Sequence, residues 1–212
     1  MPIVNVYIDG FNLYHAIVAK GDPTLKWINF RLLGKSFLKP NETLNNVIFF
    51  TAILTWEQAK QQRHKNYIRA QRACGVEVIE SNFRKISRHC RIMDRNCSRH
   101  EEKQTDVAFA IRIFQDAMAD SFDRAVLVTA DSDQVPLVRA LKTTFPEKRV
   151  TLAAPPDRGG EARELGAVVH DRTPIDVGRL RGCKLPRDVR DESGKTVATM
   201  PALYGGSVFP AK

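Results

Sequence analysis

The run "NVIFFTAIL" at 46–54 narrows what this chain can become more than any other feature. It is apolar on both parities, so a strand with one wet face is ruled out and cover is needed on both sides. Other runs share that character: the opening stretch around Ile3, Val4, Val6 and Ile8, then "GVEVIES" (75–81), "RAVLVTA" (124–130) and "RVTLAA" (149–154). Helical patterns separate them, near 11–20, 30–38, 56–73, 105–120 and 132–145, with a short helix near 160–166 and a last strand "AVVHD" at 167–171. Strands alternating with helices imply parallel crossovers, hence an α/β fold with a three-layer α/β/α sandwich and a mostly parallel central sheet.

The helix at 105–120 carries the clearest periodicity. Val107, Ile111, Phe114 and Met118 fall on one face, widened by Ala110, Ile113 and Ala117, and that face is expected to meet the core. Residues 82–103 interrupt the rhythm with a basic stretch rich in Cys and His. One domain is expected over 1–171, with 172–212 as a basic tail or small extension that is partly flexible.

Lys and Arg number 33 against 24 Asp and Glu, a net charge of +9, which favours an anionic partner, nucleic acid first. Asp9 breaks the opening apolar stretch too early for a leader. No apolar window approaches the roughly 20 residues that span a bilayer. Four cysteines do not make a disulfide framework in a chain of this size. A cytoplasmic protein without membrane contact is the expectation.

The carboxylates carry the chemical signal. In an open parallel sheet, strand C-termini and the helix starts that follow them share one edge, where ligands bind. Asp9 ends the first strand, Asp131 and Asp133 follow the fourth, and Asp106 opens the strongest helix. Each alone reads as a cap or turn residue. Together they repel, by about 4 kcal/mol per pair at 4 Å and an effective dielectric of 20, unless a cation or a proton offsets them. Oxygen-only ligands suit Mg²⁺ or Mn²⁺, and the matching chemistry is phosphodiester hydrolysis. Asn12 and Ser132, at the same helix starts, could orient a carboxylate or a phosphate oxygen, or simply cap.

"YIDGFNLYHA" (7–16), "EEKQTDVAFAIRIFQDA" (101–117) and "RAVLVTADSDQVPLVRAL" (124–141) together resemble the three signature blocks of the NYN domain family, related to the PIN-domain nucleases, in its bacterial LabA-like branch. The resemblance covers about residues 3–171. It implies a PIN-like fold and a metal-dependent ribonuclease, with the acidic positions on Asp9, Asp106, Asp131 and Asp133 and Asn12 as their polar companion. It also implies 5′-phosphate and 3′-hydroxyl products. One departure is "TADSD" (129–133), where the family typically has Ser-Gly-Asp-Ser-Asp; small residues are kept. "LVTADSDQV" also resembles the first motif of haloacid-dehalogenase phosphatases, but no adjacent acidic pair follows before the irregular 191–192. A non-catalytic RNA-binding protein on the same fold is the other alternative.

The bases give the expected RNA surface: Lys60, Arg63 and Arg69 on the helix at 56–73, and Arg84 and Lys85 in the insert. Such a surface would track phosphates without reading sequence. Trp56, Tyr67 and Phe83 could stack bases, though core packing suits at least two of them. His89, Cys90, Cys97 and His100 have ligand types that suit zinc, at a spacing that is not a standard one. The favoured reading of that insert is a basic loop or β-hairpin with incidental thiols. Oligomeric state is left open, a homodimer included.

Overall fold

The structure, a computed structural model, describes residues 1–90 and 95–205, and within them the side chains outside Asn82 and 84–103. A seven-stranded sheet runs through it in the order β4-β3-β2-β1-β5-β6-β7. The strands are β1 (Ile3–Asp9), β2 (Thr43–Ile53), β3 (Glu77–Cys90), β4 (Arg95–Lys103), β5 (Arg124–Val128), β6 (Arg149–Leu152) and β7 (Asp171–Arg172). All neighbouring pairs are parallel except β3 with β4. The helices are α1 (Gly10–Ala19), α2 (Phe30–Lys35), α3 (Gln58–Ala73), α4 (Thr105–Met118), α5 (Val135–Thr144), α6 (Arg163–Val168) and α7 (Val177–Gly182).

Alternation along β1 feeds two cores. Val4, Val6 and Ile8 join Leu13 of α1, Leu33 of α2, Ile68 of α3 and Leu180 of α7. Tyr7 points the other way, into Phe109 of α4, Val138 of α5 and Leu165 of α6. These are the two faces of the sandwich, and they explain why β2 is apolar on both parities.

The expected face of α4 is corrected in part: its widening residues Ile113 and Ala117 are buried as expected, but its main row is not. Phe109, Ile113 and Ala117 are its buried stripe, while Val107, Ile111 and Met118 are more than half exposed, at 61%, 52% and 67%. The sequence offers two apolar faces, and the large ring decides: Phe109 packs 4.9 Å from Phe50 and 6.4 Å from Tyr7. The strand expected at 167–171 is also corrected. α6 continues through Val168, and β7 is the two residues Asp171–Arg172. A short apolar run does not by itself separate helix from strand.

β3 does not stop at 81. It continues to Cys90 and pairs antiparallel with β4, from Asn82 opposite Lys103 to Cys90 opposite Arg95, so the described part of the insert is an antiparallel strand pair. Arg84, Lys85 and the zinc candidates His89, Cys90, Cys97 and His100 have side chains outside the described residues.

Beyond Arg172 the chain is an ordered extension as far as Gly205. Ile175, Leu180 and Cys183 enter the first core. β8 (Asp188–Arg190) and β9 (Thr196–Thr199) form a hairpin whose Val189 and Ala198 pack with Ala70 and Trp27, and the Trp27 indole N–H donates to the Pro186 carbonyl at 2.8 Å. Among the described residues, no helix is long and apolar enough to cross a membrane.

Candidate active site

The chain leaves β1 toward β2 and β3, then returns past β1 to β5 and β6. The strand order therefore reverses between β1 and β5, and the crevice at their C-terminal ends is where such sheets bind ligands. In the parallel register Ile8 faces Val128, so Asp9 lies beside the residues that follow β5.

Asp9 both ends the strand and caps α1. Its Oδ1 accepts the Asn12 N–H at 3.0 Å and its Oδ2 accepts the Thr129 hydroxyl at 3.0 Å. The Thr129 oxygen in turn accepts the Asp131 N–H at 3.1 Å, and Asp131 Oδ1 caps the 3-10 turn 132–134 by accepting the Asp133 N–H at 2.9 Å. Asn12 closes the ring, its Oδ1 accepting the Ala130 N–H at 3.0 Å. The tips of β1 and β5 are thus stitched by side chains. Thr129 is a residue that sequence reasoning treated only as a small filler; its hydroxyl joins two of the acids. The Asn12 oxygen is spent on the backbone of the partner strand, which makes it a strap between the two tips. Ser132 stands half-buried in the turn between Asp131 and Asp133.

The electrostatics show carboxylates in tension. Burial pushes the Asp9 carboxyl up to about 6; its two hydrogen bonds pull it down, and the charges of Asp106 and Asp131 push it up further. Asp106 is raised too, by desolvation first and then by Asp131 and Asp133. All four acids therefore share one field, from three separated stretches of sequence. Two further oxygens belong to this edge. Among the described residues, the buried side-chain atoms without a hydrogen-bond partner are Thr105 Oγ1, next to Asp106, and Gln134 Oε1, next to Asp133. Buried polar atoms are normally paired. Here both exceptions flank the acids.

A divalent cation fits this edge in its donor chemistry, since the charges are uncompensated and every donor is oxygen. It does not find a finished chelate: among the described residues, no three His, Cys, Asp or Glu side chains converge tightly enough to hold an ion as they stand. The residues fit a cation that keeps several of its waters, as Mg²⁺ does.

Of the expected nucleic-acid contacts, Lys60 and Arg63 lie on the first turns of α3, facing α1 across a cavity. Lys60 Nζ pairs with Glu57 at 2.9 Å. Arg69 stands farther along the helix, its guanidinium 3.4 Å from Asn66 Oδ1. Tyr67 is core, its hydroxyl donating to the Ile28 carbonyl at 2.8 Å. Trp56 is 40% exposed, with its ring 5.0 Å from Phe83, which is in turn 5.5 Å from Phe11.

Comparison with known proteins joins these observations. The NYN domain matches residues 3–176. The chain belongs to the NYN domain family. This is a family of PIN-like nucleases, and the match spans the sheet and all four acids. A curated relative, the 6-hydroxy-3-succinoylpyridine 3-monooxygenase of Pseudomonas putida, is 25% identical over 222 aligned positions, covering 86% of this chain and 70% of its own. A solved structure of a protein of unknown function from Vibrio parahaemolyticus has the same fold. Its TM-score is 0.55 at 16% identity, over 83% of this chain and 94% of that one.

Proposed function

We propose that this NYN protein is a metal-dependent ribonuclease, hydrolysing RNA phosphodiesters at the edge formed by Asp9, Asp106, Asp131 and Asp133. The observation that carries the reading is the uncompensated charge there: Asp9 and Asp106 are both pushed up with contributions from their acidic neighbours. A cluster of this kind opposes folding unless a cation uses it, and a pure phosphate binder gains nothing from it. The four acids would hold Mg²⁺ or Mn²⁺, directly or through water. Such an ion supplies charge neutralisation at the phosphate and leaving oxygen, and a lowered pKa for water. Thr129 and Asn12 keep the two strand tips in register, and Ser132 presents a hydroxyl between two acids. The net charge of +9 gives RNA affinity that tracks phosphates. The protein is read as cytoplasmic.

The test is cleavage of end-labelled single-stranded RNA with Mg²⁺ or Mn²⁺, beside an EDTA control, matched DNA and the Asp131→Asn variant. Metal-dependent cutting that leaves 5′-phosphates and disappears in the variant is expected. A 2′,3′-cyclic phosphate product contradicts the proposed chemistry. A second reading, an RNA-binding protein without turnover, is favoured by the lack of a finished chelate among the described residues; it predicts tight RNA binding, no cutting, and indifference to Asp131→Asn. The reaction in the name of the Pseudomonas putida relative points to another ligand class, a pyridine acid.

A further inference from the structure

A cavity of about 240 Å³ opens beside Asp9, between α1, α3 and the end of β2, with Gly10 and Phe11 in its wall. It is smaller than the roughly 300–1,000 Å³ of sites for drug-sized ligands, so it suits one ring system. Its floor is apolar and aromatic, including Phe30, Phe49 and Tyr67, whose rings are 4.9–6.2 Å apart. One polar pair interrupts it: the Thr51 hydroxyl lies 2.9 Å from His64 Nε2. That pair is what an otherwise apolar slot needs to read the polar edge of a heteroaromatic ring.

The rim is basic, with Lys60 paired to Glu57 just outside the lining. Lys26, Lys60 and Arg63 line the cavity, and none of its lining residues is acidic. Lys26 Nζ stands 5.9 Å from the ring centres of both Tyr14 and Tyr204, placing a cation between two aromatic walls. Leu203 and Tyr204 close one side. They belong to the C-terminal extension, beyond the residues 3–176 that match the NYN domain. This wall is therefore built by a part of the chain outside the family match.

We propose that the cavity takes one unstacked nucleobase, with the adjoining phosphate held at the rim by Lys60 and Arg63, so that the neighbouring phosphodiester is delivered to the acidic edge. The charges support the direction of travel. A phosphate is attracted to the rim bases, of which Lys60 is shared with Glu57, whereas Asp9, next to Gly10 of the wall, and the acids that share its field repel it until a cation is bound. The proposal rests on the ribonuclease reading for the source of the ligand, RNA, while the binding chemistry is shared with a free nucleotide.

The experiment measures binding without cleavage: titration of the full chain in EDTA with nucleoside monophosphates, the matching nucleosides, inorganic phosphate, a pyridine carboxylate and a short single-stranded RNA. Saturable nucleotide binding is expected, weakened about tenfold or more when the phosphate is absent. Arg63→Ala should weaken the nucleotide and the RNA alike by a similar factor, and Leu203→Trp should fill the slot from the extension side. Asp131→Asn, which removes one of the repelling charges, should not weaken nucleotide binding. No saturable nucleotide binding, or an RNA affinity indifferent to both variants, overturns the proposal; so does a pyridine carboxylate that outcompetes every nucleotide. If nucleotides bind as expected and RNA is never cut, the ribonuclease reading falls and the base site stands.

Discussion

The two edges of the central sheet treat charge in opposite ways. At the N-terminal edge, Arg124 and Glu42 are buried together, their side chains 4% and 8% exposed. Arg124 Nε donates to Glu42 Oε1 at 2.7 Å, and the rest of the guanidinium reaches the Thr151 hydroxyl at 3.1 Å and the Phe37 carbonyl at 3.0 Å. Burial pushes the Glu42 carboxyl up, but Arg124 and the Lys39 backbone N–H more than reverse it. Lys148, equally buried, donates to Asp120 at 2.6 Å and to the Phe122 carbonyl at 2.8 Å. At the C-terminal edge the acids face one another, two of them hold protons more tightly than usual, and two buried oxygens lack partners. A buried charge with full partners fixes structure. Charges left unmatched are where a ligand is expected to bind.

The contrast can be broken at either edge. The largest effect belongs to the acids. Asp9→Asn or Asp106→Asn should lower RNA cleavage on the order of 100-fold or more, as when a preorganised electrostatic group is removed, with circular dichroism unchanged. Cleavage kept within a few fold would move the site elsewhere.

At the opposite edge, Arg124→Met should cost about 3–5 kcal/mol in urea unfolding, because it strands Glu42 as a buried unpaired charge. Changing Glu42→Met as well should recover much of that loss. A single variant as stable as the wild type would mean that the pair is not buried as described.

Gly10→Ala probes the join between site and core. An added Cβ would lie 2.3 Å from a ring carbon of Phe49 and 2.6 Å from the Phe50 carbonyl oxygen. Overpacking of that kind costs about 1–3 kcal/mol, and a thermal melt would show it as a loss of several degrees. An unchanged melting temperature would contradict the tight seat of α1 on β2.

The smallest effect sharpens the electrostatic half. With Asp9 raised to about 6, the folded, metal-free protein holds a proton that the unfolded chain gives up near pH 4. This carboxyl therefore favours folding below about pH 4, and its contribution falls as pH rises to about 6. Asn caps a helix as well as Asp does, so Asp9→Asn should stabilise the metal-free protein by about 1–2 kcal/mol at pH 7.5, with the gain vanishing near pH 4. A variant less stable at pH 7.5 would show that the carboxylate is well compensated.

The acids were legible because edge position follows from strand order alone: Asp9, Asp106, Asp131 and Asp133 needed only the alternation of strands and helices to be brought together. What joins them was not. The bridge from Thr129 to Asp9 depends on the register of β1 against β5, with Ile8 beside Val128, and no local pattern carries that. The face of α4 was legible only in part for a related reason: Ile113 and Ala117 stood on the expected face, but Val107–Ile111–Met118 and Phe109–Ile113–Ala117 are both apolar rows, and the choice is made by the partner rings Tyr7 and Phe50. The extension after Arg172 has elements too short to declare themselves. They are ordered by contact with Trp27 and Ala70, more than a hundred residues away.

The central claim is that the C-terminal edge is a cation site, and Mn²⁺ binding tests it most directly. Electron paramagnetic resonance would follow free Mn²⁺ during titration of the wild type, Asp131→Asn and Lys60→Ala at pH 7.5, with each fold checked by circular dichroism. The account predicts saturable binding to the wild type, unaffected by Lys60→Ala and weakened by at least about tenfold in Asp131→Asn. No saturable binding, or equal affinity in Asp131→Asn, would contradict it and leave Asp9 and Asp131 as helix caps and Asp106 and Asp133 as first-turn residues.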